Sequence, residues 1–315
     1  MKVHLLNGPP PTSLASALAE FESPFSYPLG PDRTFHISHG EDYSLFFRAQ
    51  GAGMCFVAEH QNRILGVLGA AIRRIWMPNG RERLVGYVGD LKIAAEARGG
   101  LVLGRLARAA DAWLRPKVDA AYGVVMDGTG LTPQAYTHRA GIPAFREVGR
   151  LAVLRVSGDG DTPPYRANCF LTTPEAGLSC YQQLSRGRNA CPIEHASGRS
   201  QMAPVWLRHP EGLACGLLED TRRAKRLMIS DGSELLSAHL SCFAYASLAA
   251  GAELIREALL RTIALDLTGF FLAVPADEAA SLCESLAGCK ILPAPATVYG
   301  TGFEKGDWNI NTSEI

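Results

Sequence analysis

Short apolar runs broken by small polar turns fill the first half of the chain. Met54 to Glu59 reads as a strand, His60 to Arg63 as a turn, and Ile64 to Ile75 as a second strand. A turn at Met77 to Gly80 leads to a third apolar strand, Leu84 to Ile93. From Leu101 to Leu114 the period changes. Val102, Leu103, Leu106, Ala109, Ala110 and Trp113 recur at helical spacing, so one face would lie on a sheet with Arg105 and Arg108 turned outward. Ala120 to Met126 suits a buried parallel strand. A helix from about Pro133, the stretch Gly141 to Gly149 and a last strand, Leu151 to Val156, complete the series.

The series then starts again. Residues 158–165 are small, polar and proline-ended, which marks a linker between a first domain (1–157) and a second (166–315). Ala167 to Leu171 reads as a strand, and Thr173-Pro174-Glu175 as a capped helix start. Ala203 to Arg208 and Gly212 to Leu218 form a hairpin pattern, with strands near Arg226–Ile229 and Leu235–Phe243. A helix from about Ala250 to Asp266, a strand from Gly269 to Val274, a helix from Asp277 to Leu286 and a closing strand region from Lys290 to Phe303 follow. The expected fold class is α+β in three layers: two tandem domains, each a mixed, mainly antiparallel sheet flanked by helices.

The chemistry concentrates where the third strand meets the first long helix. Asp90-Leu91-Lys92-Ile93 ends the strand, and Arg98-Gly99-Gly100-Leu101-Val102-Leu103-Gly104 opens the helix without an acidic residue in its first turn. Glycine-opened amides at a helix start form a site for an anion such as a pyrophosphate. A Gly-Gly pair that only lets the chain reverse is the other reading of this loop.

With its neighbours in order, this motif resembles the GCN5-related N-acetyltransferase (GNAT) superfamily, in an atypical bacterial branch with an Arg-Gly-Gly loop. The superfamily's Arg/Gln-x-x-Gly-x-Gly/Ala is altered, since Leu101 and Leu103 stand where glycines are usual and Gly104 is one place late. The resemblance implies acetyl-coenzyme A as co-substrate, its pyrophosphate on residues 98–104 and its pantetheine arm along Leu91, Lys92 and Ile93. A backbone amide of that strand would polarise the thioester carbonyl. The implied activity is acetyl transfer to a primary amine of a small molecule or protein. A non-catalytic tandem binding or sensor module, and a transferase with a longer acyl or amino-acyl donor, are the alternatives.

Asp90 and Glu96 are the carboxylates nearest the motif and the candidate bases. A salt bridge from Asp90 to Arg73 or Arg74 is the competing reading. Tyr136, one place before the superfamily's tyrosine position at Thr137, and His138 are the candidate acids, against a core aromatic and a solvated helix residue. The second half has only Leu248-Ala249-Ala250-Gly251-Ala252 before its long helix, so it is expected to be a degenerate copy without a phosphate cradle.

Composition narrows the partners. With 47% apolar and 20% charged residues and a formal net charge of +0, the chain is expected to be globular and to bind neither nucleic acid nor membrane. The balance shifts along it, from 18 basic against 13 acidic residues up to position 157 to 13 against 18 beyond, a weak fit to a polyanion in the first half. Eight cysteines show no zinc spacing, and Cys55, Cys215 and Cys242 sit in apolar runs as core residues do. No metal and a cytoplasmic location are expected; the oligomeric state is left open.

Overall fold

The structure, a computed structural model, describes residues 1–29, 33–128, 132–136, 142–158, 169–193 and 196–315. The first half runs β1 (Lys2–Leu6), α1 (Thr12–Glu22), β2 (Ser26–Pro28), β3 (Thr34–Ser38), α2 (Leu45–Arg48), β4 (Ala52–His60), β5 (Arg63–Trp76), β6 (Glu82–Ile93), α3 (Val102–Leu114), β7 (Ala121–Met126) and β8 (Arg146–Ser157). The second runs β9 (Phe170–Thr172), α4 (Pro174–Leu184), β10 (Asn189–Ala190), α5 (Ala196–Arg199), β11 (Val205–Arg208), β12 (Ala214–Glu219), β13 (Arg226–Ile229) and β14 (Ala238–Tyr245). It ends with α6 (Leu248–Ala264), β15 (Phe270–Pro275), α7 (Ala279–Ser285), β16 (Lys290–Thr301) and β17 (Trp308–Asn309).

Both halves share one 14-stranded sheet, whose main path runs β1-β4-β5-β6-β7-β16-β8-β15-β14-β12-β11-β9, with β10 and β17 paired to each other beside β5. Read from either end, the order is the same series of equivalent strands, so the halves are related by a pseudo-twofold. At the centre the last strands are exchanged: β16 lies beside β7 and β8 beside β15, and the two pair antiparallel from Lys290↔Ser157 to Gly300↔Arg146. This exchange removes the edge that each half would expose alone. The sheets expected for two separate domains are therefore one.

Helices cover both faces. α3 buries Val102, Leu106, Ala110 and Leu114 on Phe56 and Leu68, the stripe that its 3.6-residue spacing requires. α6 does the same in the second half with Leu254, Ile255 and Ala258 against Leu218 and Phe270. On the opposite face Phe46 and Phe47 of α2 pack on Val57 and Val67. Phe47 lies so close to β5 that a Cβ at Gly69 would sit 1.7 Å from its ring. Cys55, Cys215 and Cys242 are buried free thiols. No described helix is long and apolar enough to cross a membrane.

Three expectations change. β13 leaves the main series and pairs with β3, which also pairs with β2, forming a small sheet made by both halves. β8 begins at Arg146, five residues before Leu151, where the last strand was expected to start. Of the helix expected from Pro133, the described part is a single 3-10 turn, Pro133–Tyr136; Thr137 and His138 lie outside the described residues, as does the linker beyond Gly158.

Residues 308–315 tie the halves together. They pass β10 as β17 and make a 3-10 turn, Thr312–Glu314, against β14 and β15. The Glu314 carboxylate, 3% exposed, receives Arg73 at 2.7 Å from the first half and Arg199 at 3.2 Å from the second, and Arg199 also pairs with Glu219 at 2.9 Å. Removing one partner of such a buried set leaves an uncompensated charge. Glu314→Gln is expected to cost about 3–5 kcal/mol in urea unfolding; a loss under about 1 kcal/mol would show that this set does not hold the halves together.

Candidate active site in the cleft of the first half

β6 and β7 run parallel but pair only at Gly86↔Ala121 and Tyr87↔Tyr122 before the ladder stops. Beyond it, the register between β5 and β6 shifts, with Gly69 opposite Gly89 but Val67 opposite Lys92. This bulge puts Asp90 at φ 54°, a left-handed conformation that aspartate tolerates better than most residues. The second half repeats the device: β14 and β15 pair only at Ala238↔Phe270 and His239↔Phe271, the β12–β14 register shifts, and Cys242 has φ 48°.

Around Asp90 the fold gathers side chains that are far apart in sequence. Lys92 Nζ lies 2.7 Å from Asp90 Oδ1 and 2.9 Å from Glu22 Oε1, at the end of α1, and donates to the Tyr43 hydroxyl at 3.1 Å. Tyr43 in turn donates to Asp90 Oδ2. His39, after β3, has its main-chain N–H 3.0 Å from Glu22 Oε2 and its Nδ1 2.6 Å from Oε1. Its Nε2 is buried without a hydrogen-bond partner among the described residues and lies 3.9 Å from Asp90 Oδ2. Within the cluster two carboxylates, Glu22 and Asp90, face the one ammonium of Lys92.

The ionisations are strongly tuned. Burial alone would raise Glu22, but His39 and then Lys92 outweigh it and hold the carboxyl at about 2. Burial would likewise lower Lys92, and Asp90 followed by Glu22 hold it above its usual range instead. Burial and Asp90 push the Tyr43 hydroxyl up. Nearby, Lys225 donates to the Ile315 carbonyl and sits 4.6 Å from the Phe46 ring centre; burial lowers it to about 7 against the pull of Asp90. Glu22, His39 and Asp90 could together ligate a metal ion, but the Lys92 ammonium already bridges the two carboxylates.

The loop read as a phosphate cradle turns at Gly99, whose φ of 77° favours glycine. α3 starts at Val102 with no side-chain cap and no acid in its first turn, and the first helical hydrogen bond to Leu101 comes from Arg105. The preceding amides of Val102, Leu103 and Gly104 thus point out of the helix start. Arg98, Gly99 and Gly100 are exposed and Leu101 is 71% exposed, while the Arg105 guanidinium binds the Met1 carbonyl at 2.7 Å rather than facing outward alone. α6 differs in each respect. Ser247 caps it by accepting from Ala250, and the cleft at its start, about 440 Å³, is lined by Glu211, Glu253 and His209.

The second cleft is also filled. Asn311 Oδ1 accepts from the Cys242 amide at 2.7 Å, and Thr312 donates to the Phe271 carbonyl at 3.1 Å. In the first half, Asp90 sits at the place of Cys242.

Of the candidates read from sequence, Asp90 is central, but its partners are Lys92 and Tyr43 rather than Arg73, which pairs with Glu314, or Arg74, which lies 3.6 Å from Glu82. The Lys92 side chain is buried in the cluster, so only its backbone is available to a pantetheine arm beside Leu91 and Ile93. Glu96, 54% exposed, pairs with Arg63 at 2.7 Å outside the cluster. Tyr136 ends the turn after β7 and has no described contact to the cluster. Glu22, His39 and Tyr43 escaped the sequence reading; a glutamate directly after the apolar Phe21 was the only local sign.

No protein-family model matches this sequence, and no curated protein does. Solved structures do. N-myristoyltransferase from Saccharomyces cerevisiae with bound myristoyl-CoA superposes with a TM-score of 0.61 over 99% of this chain and 87% of that one, at 10% identity. A Pyrococcus horikoshii protein, provisionally named as an acetyltransferase, superposes with a TM-score of 0.60 over 97% and 91%, at 12% identity.

The fold is the one these two structures share.

Within this fold the Glu22 ion pairs make stability depend on acid. A folded-state value of about 2 against an ordinary 4.5 means the contribution is complete above pH 4.5 and lost as pH falls toward 2. Its size is roughly 3 kcal/mol. Unfolding free energies across that window should fall more steeply for the wild type than for Glu22→Gln; parallel curves would contradict the assignment.

Proposed function

We propose that the protein is an acyl-coenzyme A-dependent N-acyltransferase carrying an acetyl group to a primary amine. The fold is shared with an acyltransferase that binds an acyl-CoA. The observation that carries the reading is the pairing of an open parallel cleft at the Asp90 bulge with an uncapped helix start beside it. Pyrophosphate would rest on the amides of residues 102–104 with Arg98 nearby, the pantetheine arm along 91–93, and the thioester carbonyl at the bulge amide. The second half offers an internal analogue, since an amide oxygen, Asn311 Oδ1, occupies the corresponding bulge amide of Cys242.

The acceptor would enter as an ammonium drawn by Asp90. After deprotonation its nitrogen attacks the thioester carbon; a C–N bond forms, the C–S bond breaks, and coenzyme A leaves as the thiol. Competition between acetyl- and myristoyl-coenzyme A tests the acyl length.

Two variants test the reading. Leu101→Asp places a carboxylate on the free amides of α3, which should leave the helix as stable or slightly more so, by about 0.3–1 kcal/mol. Coenzyme affinity should fall at least about tenfold by charge repulsion. Affinity unchanged in calorimetry would remove the coenzyme from this helix. Asp90→Asn keeps a side chain that tolerates the left-handed conformation. Thiol release from acetyl-coenzyme A with an amine acceptor should fall while coenzyme affinity stays within a few-fold; unchanged turnover would make Asp90 structural.

A further inference from the structure

We infer that His39 takes the proton from the acceptor ammonium, with Glu22 positioning its ring and Asp90 seating the ammonium against it. This rests on the acyl-transfer reading above.

Both oxygens of Glu22 are engaged by His39, one by its main-chain N–H at 3.0 Å and the other by Nδ1 at 2.6 Å. An ionised carboxylate at that distance accepts a hydrogen bond, so Nδ1 carries a proton, and in the neutral ring Nε2 is the nitrogen that presents a lone pair. The ring cannot turn away. Tyr43 stacks on it at 4.1 Å and 23°, and Phe46 meets it edge-on at 5.6 Å. The result is an oriented proton acceptor of the kind that a carboxylate–imidazole pair provides in nucleophilic catalysis.

What Nε2 faces decides the role. A core histidine satisfies both nitrogens, whereas this one, with its side chain 1% exposed, leaves Nε2 unpartnered 3.9 Å from Asp90 Oδ2. Two acceptors without a donor between them are costly to bury unless a ligand supplies one. A nitrogen about 2.9 Å from each fits that separation. A primary ammonium brings three N–H groups, one for His39, one for Asp90, with its carbon directed to the cleft. Asp90 is already engaged at both oxygens, since Lys92 holds Oδ1 and Tyr43 donates to Oδ2. Glu22 is likewise occupied by His39 and Lys92. The groups facing the ring are thus Glu22 from α1, Asp90 and Lys92 from β6, and Tyr43 ahead of α2, with Lys225 of the second half acting on Asp90.

The step balances without a further reactant. R–NH3⁺ gives one proton to Nε2 and becomes R–NH2. The amine attacks the acyl carbon, the C–S electron pair leaves on sulfur, and the thiolate is protonated. The products are amide, coenzyme A thiol and one released proton.

Methylamine is the acceptor probe, with thiol release from acetyl-coenzyme A as the assay. His39→Gln should lower kcat about 10²- to 10⁴-fold and abolish the acidic limb of the kcat/KM profile, with acetyl-coenzyme A affinity by calorimetry within a few-fold. Glu22→Gln, which removes the charged acceptor that holds the Nδ1 proton, should lower kcat with little change in KM for methylamine. Independently of any acceptor, ¹⁵N spectra of ring-labelled protein should show His39 protonated on Nδ1 with a bare Nε2 that shifts on adding methylammonium. A chain that binds acetyl-coenzyme A but keeps its acidic limb in His39→Gln overturns the base assignment and leaves the acyl-transfer reading standing. A proton found on Nε2 near neutral pH overturns it whatever the assay gives, and failure to bind acetyl-coenzyme A overturns the acyl-transfer reading.

Discussion

The antiparallel pairing of β8 with β16 is the constraint on which the rest depends. Each is the last main-sheet strand of its half, and each lies beside a strand of the other half. The pairing joins two sheets into one and brings both splayed clefts toward a common centre. It also delivers residues 308–315, just after β16, into the cleft of the second half. Neither half has a complete sheet centre without the other, so the candidate site depends on residues that never touch it.

A nearly symmetric frame thus carries two unequal clefts. Both have a parallel ladder that stops after two pairs, and both have a bulge with one residue in the left-handed region. In the second, Asn311 takes the bulge amide, Ser247 caps the following helix, and glutamates line the space before it. In the first, the helix start is uncapped and the bulge residue is an aspartate among Lys92, Tyr43, His39 and Glu22. Capping and charge, rather than topology, separate a cleft with a free helix start from one closed by its own chain.

The repeated series of strands and helices was legible in sequence because each element is fixed by local periodicity and turns. The α3 stripe and the free start of that helix are local properties and could be read from Arg98 to Trp113. The sheet exchange could not, since nothing local in Lys290–Thr301 says whose strand it pairs with. β13 was misplaced for the same reason. Asp90 was legible as a carboxylate needing a partner, but the partner was sought on the neighbouring strand at Arg73. That arginine is taken by Glu314, and Lys92 does the work instead. Glu22, His39 and Tyr43 lie in a region of weak pattern and acquire meaning only when α1 and the turn after β3 pack against β6.

The central claim is that one cleft takes the coenzyme and the other cannot. Calorimetric titration of the full chain with acetyl-coenzyme A tests it most directly. The account predicts one coenzyme per chain, with binding weakened by salt as expected for a pyrophosphate on helix amides. Two per chain, or none, would contradict it.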